Sequence, residues 1–230
     1  MIRHPEAHDL PVLVDSCVPV LDAVADLFIG SSCVGCGVAS WQLCRRCRLL
    51  VATARFHRLL PSGLEVIGVT EYEGSGGAML RALKDRGAWS VAAFCAVGLA
   101  DAVAHLPAAD LLVPVPSQPA AIRRRGFDHG LALARSTGRR SRLPARHLLR
   151  RVRVQADQAG LALEERATNQ QRALAALRAG SSRVVLIDDI CTTGATLMEA
   201  ERALAASGWQ VQGAVVVANT TRLTDLSSHR

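Results

Sequence analysis

The sequence predicts an α/β fold with a mostly parallel sheet, and three observations carry this prediction. Strand-like runs alternate with helix-like runs from about residue 64 to residue 218, and strands that alternate with helices form parallel sheets. Several of these strands are apolar runs, which is typical of a sheet covered on both faces. The 230 residues are enough for one sizeable domain and an appendage.

The predicted elements follow in a regular order. Strands are predicted over residues 64–72, 109–116, 183–187 and 211–218, and helices over 76–85, 89–105, 128–137 and 195–207, with a short helix near 18–28. Asp128 is a suitable N-cap, because a carboxylate accepts the free amide hydrogens of a first turn. Gly208 is a typical C-terminal stop. Residues 154–178 are polar and end in helix-forming residues. We divide the chain into an N-terminal segment, residues 1–60, and a main domain, residues 61–230.

The charge of the chain favours an anionic partner. The formal net charge is +7 at pH 7, and an excess of this sign attracts anions. Eleven arginines and a single acid, Asp128, lie between residues 122 and 153; we call this stretch the arginine belt. Lys84 is the only lysine of the chain, which makes it a candidate ligand-binding residue.

The sequence predicts neither membrane insertion nor export. The apolar residues 10–29 are interrupted by Asp15, Asp22 and Asp26, and the basic start of a signal peptide is missing. We therefore expect a cytoplasmic protein, in which thiols stay reduced. The seven cysteines are then candidates for metal ligands rather than for disulfides.

Four of the cysteines form two C-x-x-C pairs, Cys33 with Cys36 and Cys44 with Cys47. Zinc prefers four thiolate ligands in a tetrahedron, and two tight turns can each offer two of them. The spacing therefore predicts a structural zinc knuckle with no open coordination position. An iron–sulfur cluster, a redox pair and four unrelated cysteines are the alternatives. Arg45, Arg46 and Arg48 are then expected on a small rigid tip, where they either contact nucleic acid or are simply solvated.

Asp188 and Asp189 follow the apolar run of residues 184–187 and precede the small turn of residues 192–196. Two carboxylates so close repel each other unless a cation or a ligand with hydroxyl donors compensates them. A P-loop nucleoside triphosphatase would need the motif G-x-x-x-x-G-K-[ST], and the sequence around the single lysine does not fit this motif. A phosphoacceptor domain would have its acids early in the chain and its lysine late, whereas the order here is reversed. A sugar phosphate fits best, because the carboxylates can accept hydrogen bonds from the ribose hydroxyls, and the turn amides and the helix dipole can bind the phosphate.

The stretch V-V-L-I-D-D-I-C-T-T-G-A-T, residues 184–196, resembles the signature of type I phosphoribosyltransferases, which bind 5-phosphoribosyl-1-pyrophosphate (PRPP). The order of the other motifs is similar to that of the ComF family, which includes competence-associated and GntX-like proteins. These motifs are the cysteine pairs, Leu83-Lys84, V-P-V-P at 113–116, R-R-G-F at 124–127, and Gln158, Glu165-Arg166 and Asn169. The resemblance covers roughly residues 30–220. One departure is Asp128-His129, where the family reads Asn-Gln, so extra negative charge is expected near the pyrophosphate.

The resemblance implies a type I phosphoribosyltransferase fold preceded by the zinc knuckle, and a role for each matching residue. Asp188 and Asp189 would be catalytic, holding the ribose hydroxyls and steadying the cationic ring. The other residues implied to bind PRPP, with Mg²⁺ bridging ligand oxygens, are Thr192, Thr193, Gly194, Ala195, Thr196, Pro116, Ser117, Lys84, Arg124 and Arg125, with Arg123 as a further cation. A mobile loop over residues 154–169 would close the site with Gln158, Arg166 and Asn169.

Two functions are compatible with these residues. The first is an enzyme that transfers phosphoribosyl from PRPP to a nitrogen acceptor, linked by the family to competence and DNA uptake. The second is a non-catalytic, PRPP-responsive module that binds single-stranded DNA through the zinc tip and the arginine belt, or that joins the competence machinery. DNA binding requires the belt to lie on one face and predicts affinity that falls steeply with salt. Only eight Phe, Trp and Tyr residues are present, which disfavours an extended base-stacking platform.

Overall fold

The structure is a computed structural model that describes residues 32–40, 42–53, 56–86, 89–152 and 173–220. In chain order the elements are α1 (Arg45–Leu50), β1 (Phe56–Leu59), β2 (Glu65–Glu71), α2 (Ser75–Arg86), α3 (Trp89–Ala104), β3 (Leu111–Pro114), α4 (Pro119–Arg125), α5 (His129–Ser141), β4 (Leu149–Arg151), β5 (Leu174–Ala176), β6 (Arg183–Cys191), α6 (Ala195–Ala205) and β7 (Gln210–Asn219). The helix expected near residues 18–28 lies outside the described residues.

The main sheet has five strands in the order β1-β2-β7-β6-β3. The pairs β2–β7, β7–β6 and β6–β3 are parallel, and only β1 pairs antiparallel, with β2. The predicted α/β class with a mostly parallel sheet is therefore confirmed. Strand β1 was not predicted, because its four residues alternate between half-buried and exposed positions and carry no apolar run.

Apolar side chains cover both faces of this sheet, which explains the apolar runs in β6 and β7. Successive residues of a strand point to opposite faces. In β6, Val185 and Ile187 belong to the core beneath α2, α3 and α5, whereas Val184 and Leu186 belong to the core beneath α6. Parallel strands buried on both sides read as continuous apolar stretches.

The small antiparallel sheet β4–β5 borders the second of these cores. Leu174, in β5, was expected among helix-forming residues, and this expectation is wrong. Its segment instead pairs with β4 and packs against α6, where the carboxylate of Glu199 accepts the Leu174 amide hydrogen at 3.1 Å. Tertiary pairing overrides helix propensity here.

The described residues 33–40 and 42–51, which hold the cysteine pairs and α1, pack directly on α2 and α3; we call them the cysteine segment. Cys33, Leu43 and Cys47 are fully buried members of the same core as α2 and α3. The backbone carbonyl of Val51 accepts a hydrogen bond from Gly98 in α3 at 3.1 Å. No helix in the described ranges combines the length and the apolar character needed to cross a membrane.

Candidate functional site

A cavity of about 480 Å³ opens at the edge of the sheet where β3 ends beside β6. Pro114, the last residue of β3, pairs with Ile187 of β6, so the residues that follow β3 and the final residues of β6 emerge at the same edge of the sheet, where parallel α/β sheets hold their ligands. The lining residues are Lys84, Val115, Pro116, Ser117, Gln118, Ala120, Ala121, Arg124, Arg125, His129, Arg151, Asp188, Asp189, Ile190, Thr192 and Thr196.

Most residues that the sequence singled out for PRPP therefore line one cavity. The predicted residues among them are Asp188, Asp189, Thr192, Thr196, Pro116, Ser117, Lys84, Arg124 and Arg125. Thr193, Gly194 and Ala195 lie in the same turn without lining the cavity, and Arg123 is exposed on α4. Gln158, Arg166 and Asn169 lie outside the described residues, so the loop assigned to them stays a prediction.

Strand β6 continues through the two acids to Cys191, four residues beyond its predicted end. Asp188 is half-buried, and its Oδ1 accepts the backbone N–H of Asp189 at 2.8 Å. Asp189 is only 4% exposed. The pleat directs the two side chains to opposite faces of the strand, which gives the two carboxylates different surroundings.

Asp189 is held by two donors from two different helices. Its Oδ2 lies 2.6 Å from Lys84 Nζ of α2 and 2.9 Å from His129 Nε2 of α5. Burial opposes ionisation of Asp189, but the hydrogen bond from His129 and the charge of Lys84 outweigh it and lower the pKa of Asp189 to about 2. Asp189 is therefore the ionised member of the pair.

Asp188 has the opposite tendency. Burial and the neighbouring charge of Asp189 raise the pKa of Asp188 well above its ordinary value, and the amide hydrogen bond from Asp189 only partly compensates. Two interacting carboxylates of this kind lose their protons in separate steps. The pair thus holds one negative charge more readily than two, and a ligand that donates hydroxyl hydrogens or brings a cation would favour the second ionisation.

Basic side chains outnumber the two acids in the cavity walls. Lys84, Arg124, Arg125 and Arg151 all line it. Arg151, in β4, donates from Nε to the carbonyl of Pro116 at 2.9 Å. Burial lowers the pKa of Arg151, while the nearby Asp188 raises it. The surplus of cations over carboxylates matches an anionic ligand that carries hydroxyl groups.

His129 and Arg151 are site residues whose roles the sequence did not indicate. In the sequence, His129 stands out only as a departure from the ComF pattern, and Arg151 is one arginine among the eleven of the belt. A single histidine at the start of a helix is not paired with a second residue at the spacing that would indicate a ligand site. Only the arginine excess pointed toward Arg151, and it did not distinguish that residue from its neighbours.

The turn after β6 is shaped by Gly194, which caps α6 with φ of +79°. A Cβ atom there would lie 2.5 Å from Cδ2 of the buried Leu60, so only glycine fits without rearrangement. Arg58 of β1 fixes the same turn, because its Nη1 donates to the Thr192 carbonyl at 2.7 Å. The amide of Ala195, the first residue of α6, donates to the Thr193 hydroxyl at 3.3 Å, and the next amides of the first turn have no partner within the helix.

Asp128 is the N-cap of α5, as predicted. Its Oδ1 accepts the amide hydrogens of Gly130 at 3.0 Å and Leu131 at 3.3 Å, and the Ser117 hydroxyl donates to the same oxygen at 3.4 Å. Asp128 does not line the cavity. Its charge is thus balanced by the helix start, which limits the effect expected on a bound pyrophosphate.

The four predicted cysteines form a compact cluster whose Sγ atoms all lie within 4.8 Å of one another. The Cys44 amide donates to Cys33 Sγ at 3.3 Å. Burial raises the pKa of Cys33, but the backbone amides of Cys44, Cys36 and Gly35 outweigh it and lower the pKa to about 7. Sulfur ligands supported by amide donors suit a structural tetrahedral metal site, and this donor set could hold a zinc ion.

The basic tip beside the cluster is smaller than the sequence indicated. Arg45 and Arg46 are exposed. Arg48 instead turns toward α3, where its guanidinium lies 4.9 Å from the centroid of the Phe94 ring, while its Nε donates to the Leu43 carbonyl at 2.7 Å. The expected position of Arg48 on an exposed tip is therefore wrong, because its side chain packs the cysteine segment against α3.

Described arginines of the belt line two different clefts. One group lines the cavity, as described above. A second cleft of about 530 Å³ is lined by Arg135, Arg139, Arg142 and Arg146, together with Gly138 and residues 143–145. These four arginines are all exposed, and none of the described residues that line the cleft is an acid.

Comparison with known proteins gives structural likenesses only. No protein-family model and no curated protein sequence matches the chain. Similar solved structures include the UMP synthase of Leishmania donovani, with a TM-score of 0.41 and 19% identity over 76% of this chain and 30% of that chain. The orotate phosphoribosyltransferase of Aeropyrum pernix has a TM-score of 0.36 and 20% identity over 75% and 80%. The adenine phosphoribosyltransferase of Thermoanaerobacter pseudethanolicus has a TM-score of 0.38 and 17% identity over 64% and 79%. The chain thus spans 30% of the length of the UMP synthase.

Proposed function

We propose that the chain is a phosphoribosyltransferase-like protein of the ComF type that binds PRPP with Mg²⁺ and transfers phosphoribosyl to a nitrogen acceptor in the cytoplasm. The observation that carries the proposal is the cavity itself. It brings two dissimilar carboxylates, four basic side chains and the start of a helix to one edge of the sheet. The two negatively charged ends of PRPP and its ribose hydroxyls match these three kinds of group.

Each part of the cavity has a role in this proposal. The 5-phosphate binds at the turn of residues 192–196, where the hydroxyls of Thr192 and Thr196 lie in the cavity wall and the start of α6 favours an anion. Arg124, Arg125 and Arg151 face the pyrophosphate, beside the turn of Pro116 and Ser117. Asp188 and Asp189 accept hydrogen bonds from the ribose hydroxyls.

Transfer breaks the bond between C1 of the ribose and the pyrophosphate oxygen, whose electron pair leaves with pyrophosphate. The acceptor nitrogen forms the new bond to C1 and then loses its proton. Positive charge develops on the sugar ring between these events, and the fixed charge of Asp189 stabilises it. The catalytic contribution of the chain is therefore positioning and electrostatic stabilisation.

The residues fit a magnesium ion carried mainly by the ligand. Asp189 is already engaged by Lys84 and His129, and Asp188 accepts a backbone amide, so the carboxylates do not form a dedicated protein cage. Mg²⁺ binds in this way to phosphate oxygens and water, and it would neutralise the charge of the leaving pyrophosphate.

The proposal is tested by calorimetric titration with PRPP and MgCl₂. Wild type should bind, and the double variant Asp188→Asn/Asp189→Asn should lose binding while keeping its fold by circular dichroism. Asp110→Asn is the matched control, because Asp110 forms an exposed ion pair with Arg183 at 2.8 Å and does not line the cavity. Equal affinity in the double variant would refute the ligand assignment.

The second candidate function is a PRPP-responsive module that binds single-stranded DNA without catalysis. The cleft of Arg135, Arg139, Arg142 and Arg146 favours it, since four exposed cations without an acid suit a phosphate backbone. Fluorescence anisotropy with a labelled oligonucleotide tests this candidate. Affinity should fall steeply with salt, and Arg139→Ala together with Arg142→Ala should lower both the affinity and the salt dependence. Binding that is insensitive to these changes would exclude the cleft.

A further inference from the structure

Among the described residues, His129 is the only histidine that lines the cavity. Its Nε2 lies 2.9 Å from Asp189 Oδ2, and its Nδ1 lies 2.8 Å from Arg125 Nη1. A guanidinium can only donate a hydrogen bond, and an ionised carboxylate can only accept one. The network therefore assigns a hydrogen to Nε2 and the lone pair to Nδ1, which defines one tautomer of the ring.

This tautomer links two cationic groups of the cavity through two buried side chains. Lys84, Asp189, His129 and Arg125 form a continuous chain of contacts, drawn from α2, β6, α5 and α4. His129 and Asp189 are only 6% and 4% exposed, so water does not readily replace either contact. In a site with little water, each of these hydrogen bonds has a stronger effect than at the surface.

We propose that His129 is a positioning residue, which orients Asp189 as the ionised acid of the pair and connects it to the anion-binding Arg125. The inference rests on the proposed function, in which Asp189 accepts a hydrogen bond from a ribose hydroxyl and Arg125 faces the pyrophosphate. Without His129, the basic partner left to Asp189 among the described residues would be Lys84, whose side chain is 28% exposed. The carboxylate could then rotate, and the distinction between Asp188 and Asp189 would weaken.

Two substitutions separate this role from simple packing. His129→Gln retains one donor and one acceptor on a side chain long enough to reach both partners, whereas His129→Leu keeps a similar volume and neither hydrogen bond. In calorimetric titration with PRPP and MgCl₂, His129→Leu should weaken binding about tenfold or more, the effect expected for a lost hydrogen bond to a charged group. His129→Gln should restore most of the affinity. If both variants bind like wild type, or both lose binding equally, the inference is overturned.

A second measurement does not depend on PRPP. Long-range ¹H–¹⁵N correlation spectra of the unliganded protein distinguish a protonated ring nitrogen from an unprotonated one, and the missing signals of His129→Gln identify His129. The expected spectrum at neutral pH has a protonated Nε2 and an unprotonated Nδ1. The opposite tautomer or a doubly protonated ring would refute the inference, even if His129→Leu does not fold. Absence of PRPP binding by wild type, with the expected tautomer present, would instead refute the proposed function alone.

Discussion

Replacing each acid of the pair separately should have opposite effects on stability. Asp189→Asn removes the charge that pairs with Lys84 at 2.6 Å and with the His129 hydrogen at 2.9 Å. Asp188→Asn removes a carboxylate whose ionisation is unfavourable, yet its amide oxygen can still accept the backbone N–H of residue 189. We expect Asp189→Asn to destabilise the protein, and Asp188→Asn to be neutral or stabilising at pH 7.

The magnitude for Asp189→Asn can be worked out in two ways. A pKa of about 2 against the ordinary value of 3.8 corresponds to about 2–3 kcal/mol. Removing one partner of a buried ion pair costs about 3–5 kcal/mol, and the 28% exposure of the Lys84 side chain reduces this figure, because water can partly solvate the ammonium. Both routes give about 2–3 kcal/mol, or a decrease in Tm of roughly 5–10 °C for a chain of this length.

The pH dependence of the two variants should also differ in sign. A carboxyl with a lowered pKa contributes stability above its unfolded pKa, and this contribution is lost as the pH falls toward the folded value. The difference between wild type and Asp189→Asn should therefore shrink between about pH 4 and pH 2. A carboxyl with a raised pKa contributes stability below its unfolded pKa and loses it as the pH rises, so any gain from Asp188→Asn should be larger at pH 7 than at pH 4.

Thermal and urea unfolding followed by circular dichroism, at a series of pH values, measures these differences. Asp110→Asn is again the control for removing an exposed acid. If Asp188→Asn and Asp189→Asn lose the same stability at pH 7, the assignment of one ionised and one protonated acid is wrong.

Three further predictions concern other parts of the chain. Metal analysis should give about one zinc ion per chain. Gly35→Ala should lower this ratio, because the Cβ added at residue 35 would lie 2.8 Å from Cys47 Sγ. Full zinc content of this variant with unchanged stability would contradict the packing. Gly194→Ala should destabilise the protein by about 1–2 kcal/mol, since φ is +79° and Leu60 must move; chemical denaturation measures the effect, and a change below a few tenths would disprove the constraint. Asp128→Asn should keep both the N-cap and the PRPP affinity within about threefold, because asparagine caps as well as aspartate; a large gain in calorimetric affinity would show that the Asp128 charge reaches the ligand.

The elements of the sheet could be predicted because the sequence carries their signals locally. Apolar runs indicated β6 and β7, and Asp128 indicated the start of α5. The end of β6 was placed too early, because two adjacent acids are unfavourable inside a strand unless partners compensate them. Those partners, Lys84 and His129, are 105 and 60 residues away in sequence, and no local pattern reveals such contacts.

The residues around the acids were predictable to different degrees. Lys84 was indicated because it is the only lysine, and the turn of residues 192–196 by its hydroxyl-rich composition. Arg151 and His129 reach the cavity only through the path of β4 and the packing of α5. Helix α4 was not predicted, because three arginines and Pro119 obscure any apolar periodicity. Helix propensity and tertiary contacts, rather than a buried face, determine it.

The single lysine also makes the cavity selectively accessible to covalent chemistry. Lys84 Nζ is the only side-chain primary amine of the 230-residue sequence. Lys84 lies in the cavity wall, and its side chain is 28% exposed. An amine-directed aldehyde or activated ester of small size therefore modifies one known position among the side chains. Because a bound molecule shields that position, the extent of modification read by mass spectrometry reports occupancy directly. Candidate ligands can then be ranked by the protection that they give Lys84.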